Sequence, residues 1–269
     1  MNTVPTVSDT KRSFYTHHSR PISSIYRRVV EELMVEMHLL SVNTNFAYDS
    51  IYALGVVTSF DRFMDGYQPE ADRDSIFSAL CQSLGSSAEQ YRHDGKTLLE
   101  ATSALSSEDL LGLLTRSPDA KVQPVLQDIL TAIAERENFK YSRLFAIGLY
   151  TLLEQADANL LQEQEKFVAA LQQVSDVLGL PAEKLKKDLE FYSSNLDKLQ
   201  QARETMAEIV QVERKRREKR EQEKQQRQAA ANETATEETE ETEETEATVA
   251  SSTTESSSTA SDASSEGSK

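Results

Sequence analysis

Apolar residues recur every three or four positions along most of the first 210 or so residues, which is the spacing of one face of an α-helix. The first clear stripe comprises Ile22, Tyr26, Val29, Val30, Leu33, Met37 and Leu40, with Ser23 or Ser24 as the predicted N-cap. The same spacing predicts further helices over about 49–64, 70–84, 87–104, 110–114, 124–136 and 158–178. Ser106 and Asp109 resemble a capping box for the short 110–114 segment, and Gly179 is predicted to end the last of these helices. No convincing strand pattern appears, so the chain is predicted to be all-α.

The segment from Tyr141 to Leu152 is predicted to form the central helix of the core. Its apolar residues, which include Leu144 and Phe145, cover more than one side of the helix. Gly148 lies in the middle of this segment, where glycine costs about 1 kcal/mol relative to alanine. We therefore expect close packing against a neighbouring helix at Gly148.

After Pro181 the spacing changes to a heptad pattern. The seam consists of Leu185, Leu189, Tyr192, Leu196, Leu199, Arg203, Met206 and Val210. Beyond Val212 apolar residues cease while helix-forming residues continue, and residues 214–228 hold eight Lys or Arg against three Glu. This pattern predicts a long, coiled-coil-like C-terminal helix over 181–228, on the order of 70 Å long, whose basic outer half projects from the bundle. The seam either contacts a partner or folds back on the bundle.

The last segment, 229–269, is rich in Ser, Thr and Glu and includes the run EETEETEETE. It has little apolar surface to bury and repels itself electrostatically, which predicts an acidic, disordered tail. The chain is thus expected to comprise a compact helical bundle over 1–180, a long helix over 181–228 and the tail over 229–269.

The formal net charge of −16 is concentrated in that tail. Residues 229–269 contain ten Glu and one Asp against one Lys, a net charge of −10, and the other residues together carry −6. The low hydrophobic fraction of 38% has the same origin, because a polar tail dilutes an ordinary domain. The overall acidity argues against nucleic acid as a partner.

Candidate chemistry is sparse. The chain lacks the glycine-rich phosphate and dinucleotide motifs, HExxH and GxSxG, so we predict no catalytic, cofactor-binding or metal-ligating residues and no cofactor. The predicted helix that carries the first apolar stripe also contains Glu31, Glu32, Glu36 and His38. A di-metal carboxylate bundle requires Glu-x-x-His, but the residue three before His38 is Val35. We interpret the acidic residues as a solvated or ion-paired face, partly matched by Arg27 and Arg28.

Two further groups of residues have alternative interpretations. Cys81 lies on the apolar face of its predicted helix, which favours a buried structural thiol over a nucleophile. A polar, aromatic and basic cluster near the N-terminus comprises Tyr15, His17, His18, Arg20, Arg27 and Arg28. This cluster is either the ordinary surface of an N-terminal arm docked on the bundle or a partner-binding surface.

The sequence contains no apolar stretch of membrane-spanning length. The longest apolar run, from Leu144 to Leu153, is half of the roughly 20 residues that are needed. The N-terminus lacks the apolar region of a secretory signal peptide, and a single cysteine excludes a disulfide framework. Attachment to a membrane surface remains open.

Four blocks of the sequence are distinctive: PTVSDTKRSFYTHHSRPISSIYRRVVEELMVEMHLLSVN (Pro5 to Asn43), FAYDSIYALGVVTSFDRFMDGYQPE (Phe46 to Glu70), IFSALCQSLG (Ile76 to Gly85) and LGLPAEKLKKDLEFYSSNLDKLQQA (Leu178 to Ala202). They closely resemble the thylakoid formation protein family, also described as a photosystem II biogenesis factor of cyanobacteria and chloroplasts. The resemblance covers about residues 5–220, and the tail after Gln228 has no comparable match.

This resemblance implies an all-helical, non-enzymatic accessory protein that is peripheral to thylakoid membranes, on their cytoplasmic side. Its implied partners are FtsH-type membrane proteases, photosystem II assembly components and the thylakoid membrane surface. The resemblance implies no catalytic residue. The main alternative is a metal- or pigment-binding helical enzyme or carrier in the same process, and a third possibility is a membrane-surface element held electrostatically by the basic helix. Oligomeric state is not predicted.

Overall fold

A computed structural model describes residues 4–157 and 163–250, and within these it describes only the backbone of Gln164 and of 229–250. The described residues form ten helices and no strand, which confirms the all-α prediction. The helices are α1 Val7–His17, α2 Ser24–Ser41, α3 Ser50–Phe63, α4 Ala71–Ser83, α5 Ala88–Thr102, α6 Ser107–Leu114, α7 Pro124–Ala134, α8 Arg143–Ala156, α9 Gln164–Leu178 and α10 Ala182–Ala250. The predicted start of α9 near 158 lies outside the described residues.

Helix α1 is the element that the sequence pattern missed. It begins with a reciprocal capping box, in which the Thr6 hydroxyl accepts from the Asp9 backbone N–H and the Asp9 carboxylate accepts from the Thr6 backbone N–H. Phe14 is fully buried, and α1 packs against α4 and α2. The N-terminal segment, for which a docked arm and a partner-binding surface were the two interpretations, is therefore a helix of the bundle.

The centre of the core is the contact between α3 and α8. As predicted, α8 is buried on more than one side, with Leu144, Phe145, Ile147 and Leu152 all almost inaccessible to solvent. A Cβ added to Gly148 would overlap the Ile51 carbonyl oxygen of α3. The close packing expected at Gly148 is present, and α3 is the neighbouring helix.

Several predicted helix ends are also confirmed. Ser106 and Asp109 form the second capping box of the described residues, at the start of α6. Gly179 ends α9 in the left-handed region at φ 66°, which favours glycine because it has no Cβ. Ser23 is the N-cap of α2, although its side chain makes no capping hydrogen bond.

An aromatic cluster joins the loop before α3 to α3 and α5. Phe46 and Tyr48 contact Tyr52 edge-to-face, and Tyr91 of α5 contacts both Tyr48 and Tyr52 at ring-centroid distances of 5.3 and 6.0 Å. The Tyr48 hydroxyl donates to an Asp94 carboxylate oxygen at 2.7 Å. The cluster holds the entry to α3 in place.

The chain divides into two compact units, Met1–Ala202 and Arg203–Lys269. The heptad seam is divided in the same way. Leu185, Leu189 and Tyr192 are buried in the first unit, so the first half of the seam folds back on the bundle. In the second unit Met206 and Val210 are exposed.

Helix α10 extends to Ala250, so the first 22 residues of the predicted disordered tail, 229–250, are helical instead. The extension is consistent with local propensity, because 229–250 contains many Ala and Glu and no Gly or Pro. Residues 251–269 of the predicted disordered tail lie outside the described residues.

Candidate functional site

The carboxylates of the α2 metal hypothesis are engaged in separate contacts. Glu36 accepts from Arg143 of α8 at 2.5 Å, Glu31 pairs with Lys11 at 3.0 Å and Glu32 pairs with Arg28. Within the described residues, no three or more His, Cys, Asp or Glu side chains are placed to share a metal ion. The ion-paired interpretation of this acidic face agrees with the observed geometry.

His38 is the fourth member of that hypothesis. It is buried, and its Nδ1 lies 2.9 Å from the Thr10 hydroxyl of α1. This hydrogen bond links the second and first helices, so His38 has a structural contact inside the bundle.

Cys81 is a buried thiol on α4, as its position on the apolar face indicated. It is fully inaccessible to solvent, and burial raises the pKa of its thiol to about 12, an effect that the charge of Arg92 only partly opposes. At neutral pH the group is a protonated thiol rather than a nucleophilic thiolate.

The basic and aromatic N-terminal cluster is divided by the fold. Tyr15 donates to Glu31 at 3.1 Å, Arg20 pairs with the buried Asp72 at 2.7 Å, and His18 Nδ1 lies 3.0 Å from the Ser75 hydroxyl. Burial and the nearby charge of Arg20 lower the pKa of His18, despite the opposing charge of Asp72. These three side chains hold α1 and its following loop on the bundle. The other members of the cluster, His17, Arg27 and Arg28, are exposed.

A groove of about 510 Å³ lies among α2, α8 and α10 in the first unit, with α3 contributing to its walls. On α2 the lining runs from Ser24 to Glu36, and on α10 it runs from Phe191 to Ala202. At 1.5 Å per residue each helix follows the groove for about 17–18 Å. The groove is therefore elongated rather than round.

One end of the groove is closed by a chain of three side chains from three helices. Arg143 of α8 donates to Glu36 of α2 and stacks over the Phe191 ring of α10, with its guanidinium carbon 5.5 Å from the ring centroid. Burial raises the pKa of Glu36, and the Arg143 charge partly offsets this effect. Phe191 is half-exposed.

Two buried hydroxyl groups belong to residues that line the groove. Ser59 Oγ has no hydrogen-bond partner among the described residues, whereas the Tyr192 hydroxyl lies beside the Arg62 guanidinium. Burial raises the pKa of Tyr192 to about 12, while the charge of Arg62 and its hydrogen bond oppose this shift. Buried polar groups are usually paired, so Ser59 is the exception of the two.

The groove could not be deduced from the sequence pattern. Its walls come from segments more than 100 residues apart, and Ser59 and Arg143 are ordinary polar residues in their own helices. Phe191, an aromatic residue next to the seam position Tyr192, is a local signal in this part of the sequence, and the structure shows that it is half-exposed.

Comparison with known proteins relates this geometry to a family. The sequence profile described as "Thylakoid formation protein" matches residues 6–221. The chain belongs to the thylakoid formation protein family. The matched residues include the first unit from residue 6 onward, which contains the groove. They also include the exposed apolar residues of α10 in the second unit.

Individual relatives agree with this assignment. The chain is 52% identical over 215 residues to Protein Thf1 of Gloeothece citriformis (strain PCC 7424), covering 79% of this chain and 95% of the relative. It is 53% identical over 213 residues to Protein Thf1 of Nostoc sp. (strain PCC 7120), covering 79% and 91%. A solved structure of Psb29 superimposes with a TM-score of 0.69 at 45% identity, covering 79% of this chain and 98% of that one.

Over residues 4–157 and 163–250, no helix combines the length and the hydrophobicity that crossing a bilayer requires.

Proposed function

We propose that this protein is a non-enzymatic accessory factor in thylakoid membrane biogenesis and in photosystem II assembly and repair. In this proposal it associates peripherally with the cytoplasmic side of the thylakoid membrane, binds FtsH-type membrane proteases and supports their accumulation. The observation that carries the proposal is the family match over residues 6–221, which extends across nearly the whole length of relatives named Thf1 and Psb29.

The exposed apolar residues of α10 are our candidate for the protease-binding surface. Met206, Ile209 and Val210 are each about half-exposed or more, and Val212 follows them. They precede the basic segment 214–228, which contains five more positive than negative side chains. An apolar patch beside a charged segment suits a protein partner, because the patch supplies burial and the charge supplies orientation.

Affinity capture from solubilised thylakoids tests the proposal. The tagged full chain is expected to enrich FtsH-type proteases over an unrelated acidic protein, as is a truncation after Gln228. A truncation after Val212 is expected to retain less, because it removes the basic segment. Absence of enrichment by the full chain would reject the protease association.

A pair of variants tests the surface itself. Ile209→Asp combined with Val210→Asp places two charges in the candidate patch and is expected to reduce capture about tenfold or more. Val122→Asp is the matched control, because Val122 is 77% exposed and lies in the first unit. Equal loss in both variants would show that the α10 patch is not the contact.

The alternative of a metal- or pigment-binding enzyme or carrier has no supporting observation among the described residues, since their potential ligands do not converge. Elemental analysis and the visible absorption spectrum of purified protein test it. Stoichiometric iron, manganese or pigment would favour that alternative.

A further inference from the structure

We propose that the groove among α2, α8 and α10 binds a single-chain anionic amphiphile, which is an acyl chain that carries a carboxylate or phosphate head. The chain occupies the apolar length of the groove, and the head lies at the end formed by Arg28 and Lys198. This proposal does not depend on the proposed protease association, because it concerns the purified protein alone.

The dimensions of the groove suit an extended chain. A volume of about 510 Å³ spread over about 17 Å gives a mean cross-section of about 30 Å². An α-helix with its side chains is about 10 Å in diameter, so it could lie over the groove but not fill it. An extended peptide is narrow enough, but it would bring several backbone N–H and C=O groups that need partners.

The interior of the groove matches an acyl chain chemically. Val29 and Leu33 of α2, Phe63 of α3, Ile147 of α8 and Leu199 of α10 line it. Each methylene that enters such a surface adds to the affinity. The volume is also within the range typical of small-molecule sites, which are mainly apolar and carry a few polar groups.

The buried hydroxyls of the lining do not interrupt this apolar surface. Ser59 and Tyr192 are each 97% buried, and their hydroxyl oxygens are inaccessible to solvent, so they do not open onto the groove. The middle of the groove therefore presents mainly apolar side chains to a ligand.

The charges give the groove a direction. At one end Glu36, Arg143 and Phe191 form the closing bridge, so the cation there is already neutralised. Because α2 reaches this bridge at its later residues and α10 leaves it at its earlier ones, the two helices run in opposite directions along the groove. Arg28 of α2 and Lys198 of α10 both line the groove away from this bridge.

Lys198 is the cation that is available to an anion, because it is exposed and has no acidic partner among the described residues. Arg28 is paired with Glu32 through its Nε, so it offers an anion its terminal N–H donors rather than an uncompensated charge. An anionic head is attracted to this end, whereas a neutral or cationic head is not.

Calorimetric titration of the purified full chain at pH 8 tests the inference, with all amphiphiles below their micelle-forming concentrations. Palmitate and palmitoyl-lysophosphatidylglycerol are the two anionic probes and distinguish a carboxylate from a phosphate source. Hexadecanol and hexadecyltrimethylammonium are the neutral and cationic controls. We expect saturable one-to-one binding of at least one anionic probe, and binding at least about tenfold weaker for both controls.

Three variants locate the site. Val29→Trp fills the channel and is expected to abolish binding. Lys198→Glu is expected to weaken it about tenfold or more. Lys187→Glu, at an exposed α10 position that does not line the groove, is expected to remain within a factor of about two. Far-ultraviolet circular dichroism checks that each variant is folded, and the two lysine variants decide the question if Val29→Trp is not.

Binding of either anionic probe, with loss in Lys198→Glu but not in Lys187→Glu, supports the proposal and names the head group. Failure of both anionic probes to bind would overturn it, as would equal binding of hexadecanol or equal effects of the two lysine variants. A folded Val29→Trp variant that still binds palmitate would place the site elsewhere and also reject the proposal.

Discussion

Gly55 of α3 and Gly148 of α8 face each other, and a Cβ built on Gly55 would lie 2.9 Å from the backbone nitrogen of Gly148. The same added atom would overlap the Leu144 carbonyl oxygen, and one added to Gly148 would overlap that of Ile51. The obstacles are backbone atoms, which cannot move aside as a flexible side chain can. The two glycines thus set the separation of the central helix pair.

We therefore expect Gly148→Ala to lower the free energy of unfolding by about 3 kcal/mol or more, because α3 and α8 must separate to accept the methyl group. Gly112→Ala is the matched control. Its Cβ would approach the nearest side-chain atom, the Ala120 Cβ, at an ordinary 3.4 Å, so helix propensity should make this change neutral or stabilising by up to about 1 kcal/mol. Urea denaturation measures both. Similar effects in the two variants would contradict the role of the close approach.

The ion pair between Arg143 and Glu36 is partly buried, with side-chain exposures of 29% and 19%. Arg143→Ala leaves the Glu36 carboxylate without its counter-charge, and we expect it to cost about 2–3 kcal/mol of unfolding free energy. In a Glu36→Gln background, Arg143→Ala should lower the free energy of unfolding clearly less, because no buried carboxylate is left without a counter-charge. A double-mutant cycle measures this coupling.

The pair between Arg28 and Glu32 supplies the control for that cycle. Its side chains are 84% and 50% exposed, so Arg28→Ala should alter stability by no more than about 0.5 kcal/mol. If Arg28→Ala lowered the free energy of unfolding as much as Arg143→Ala does, burial of the Arg143–Glu36 pair could not explain the effect.

Asp49, the N-cap of α3, should give a pH dependence of unusual sign. Burial raises its pKa to about 6, against the hydrogen bond from the Tyr52 backbone N–H and the charge of Arg136. Because the folded state holds this proton more tightly than the unfolded state, the stabilising contribution is present below about pH 4 and is lost as pH rises through about 6. Asp49→Asn keeps a good cap and should be more stable than the unmodified chain at pH 7, by about 1–2 kcal/mol.

Asp109 provides the opposite sign. Its pKa is lowered by the hydrogen bond from Lys121 and by those of Ser106, so its stabilising contribution is present at neutral pH and is lost as pH falls through its folded pKa. Stability measured from pH 4 to pH 8 should therefore show a gain at neutral pH in Asp49→Asn and a loss in Asp109→Asn. A change in stability of the same sign in both variants at neutral pH would contradict the raised pKa of Asp49.

Cys81 should be protected from thiol reagents in the folded protein. Modification by a maleimide should be at least about 100-fold slower than in denaturant, because reaction requires opening of the bundle. Lys187→Cys in a Cys81→Ser background places a thiol at an exposed position of α10 and should react rapidly in both conditions. Rapid labelling of native Cys81 would contradict its burial.

The two halves of the heptad seam should differ in their importance for folding. Leu189→Ala removes a buried side chain of the first unit and is expected to cost about 2–4 kcal/mol. Val210→Ala, at a side chain that is 63% exposed in the second unit, should change stability by about 0.5 kcal/mol or less. Equal costs would mean that the second half of the seam is also covered.

Much of this architecture follows from local sequence. The stripe from Ile22 to Leu40, the capping residues Ser106 and Asp109, and Gly179 at the end of α9 each depend on neighbours within a few positions. Helix α1 was missed because its fully buried apolar side chain, Phe14, gives no periodic pattern, although the Thr6-to-Asp9 spacing is a capping signal.

Long-range relations could not be obtained in this way. A glycine in the middle of a helix indicates a close contact at Gly148 but does not identify Gly55, which lies 93 positions earlier. Local sequence offers Arg27 and Arg28 as partners of the acidic face, whereas the partner of Glu36 is Arg143, 107 positions away. The groove depends on several such long-range contacts at once, because its walls come from α2, α3, α8 and α10 and its closing bridge joins three of these helices. These relations require the tertiary fold.

The aromatic cluster of Phe46, Tyr48, Tyr52 and Tyr91 has a spectroscopic consequence. The chain contains no tryptophan, so tyrosines dominate its near-ultraviolet circular dichroism. Three of its nine tyrosines are held here edge-to-face at fixed mutual angles. The near-ultraviolet ellipticity therefore includes a contribution from the packing of α3 and α5, beside those of the other edge-to-face pairs, Tyr26 with Tyr67 and Tyr150 with Tyr192. It can be followed in the unmodified chain without an added chromophore.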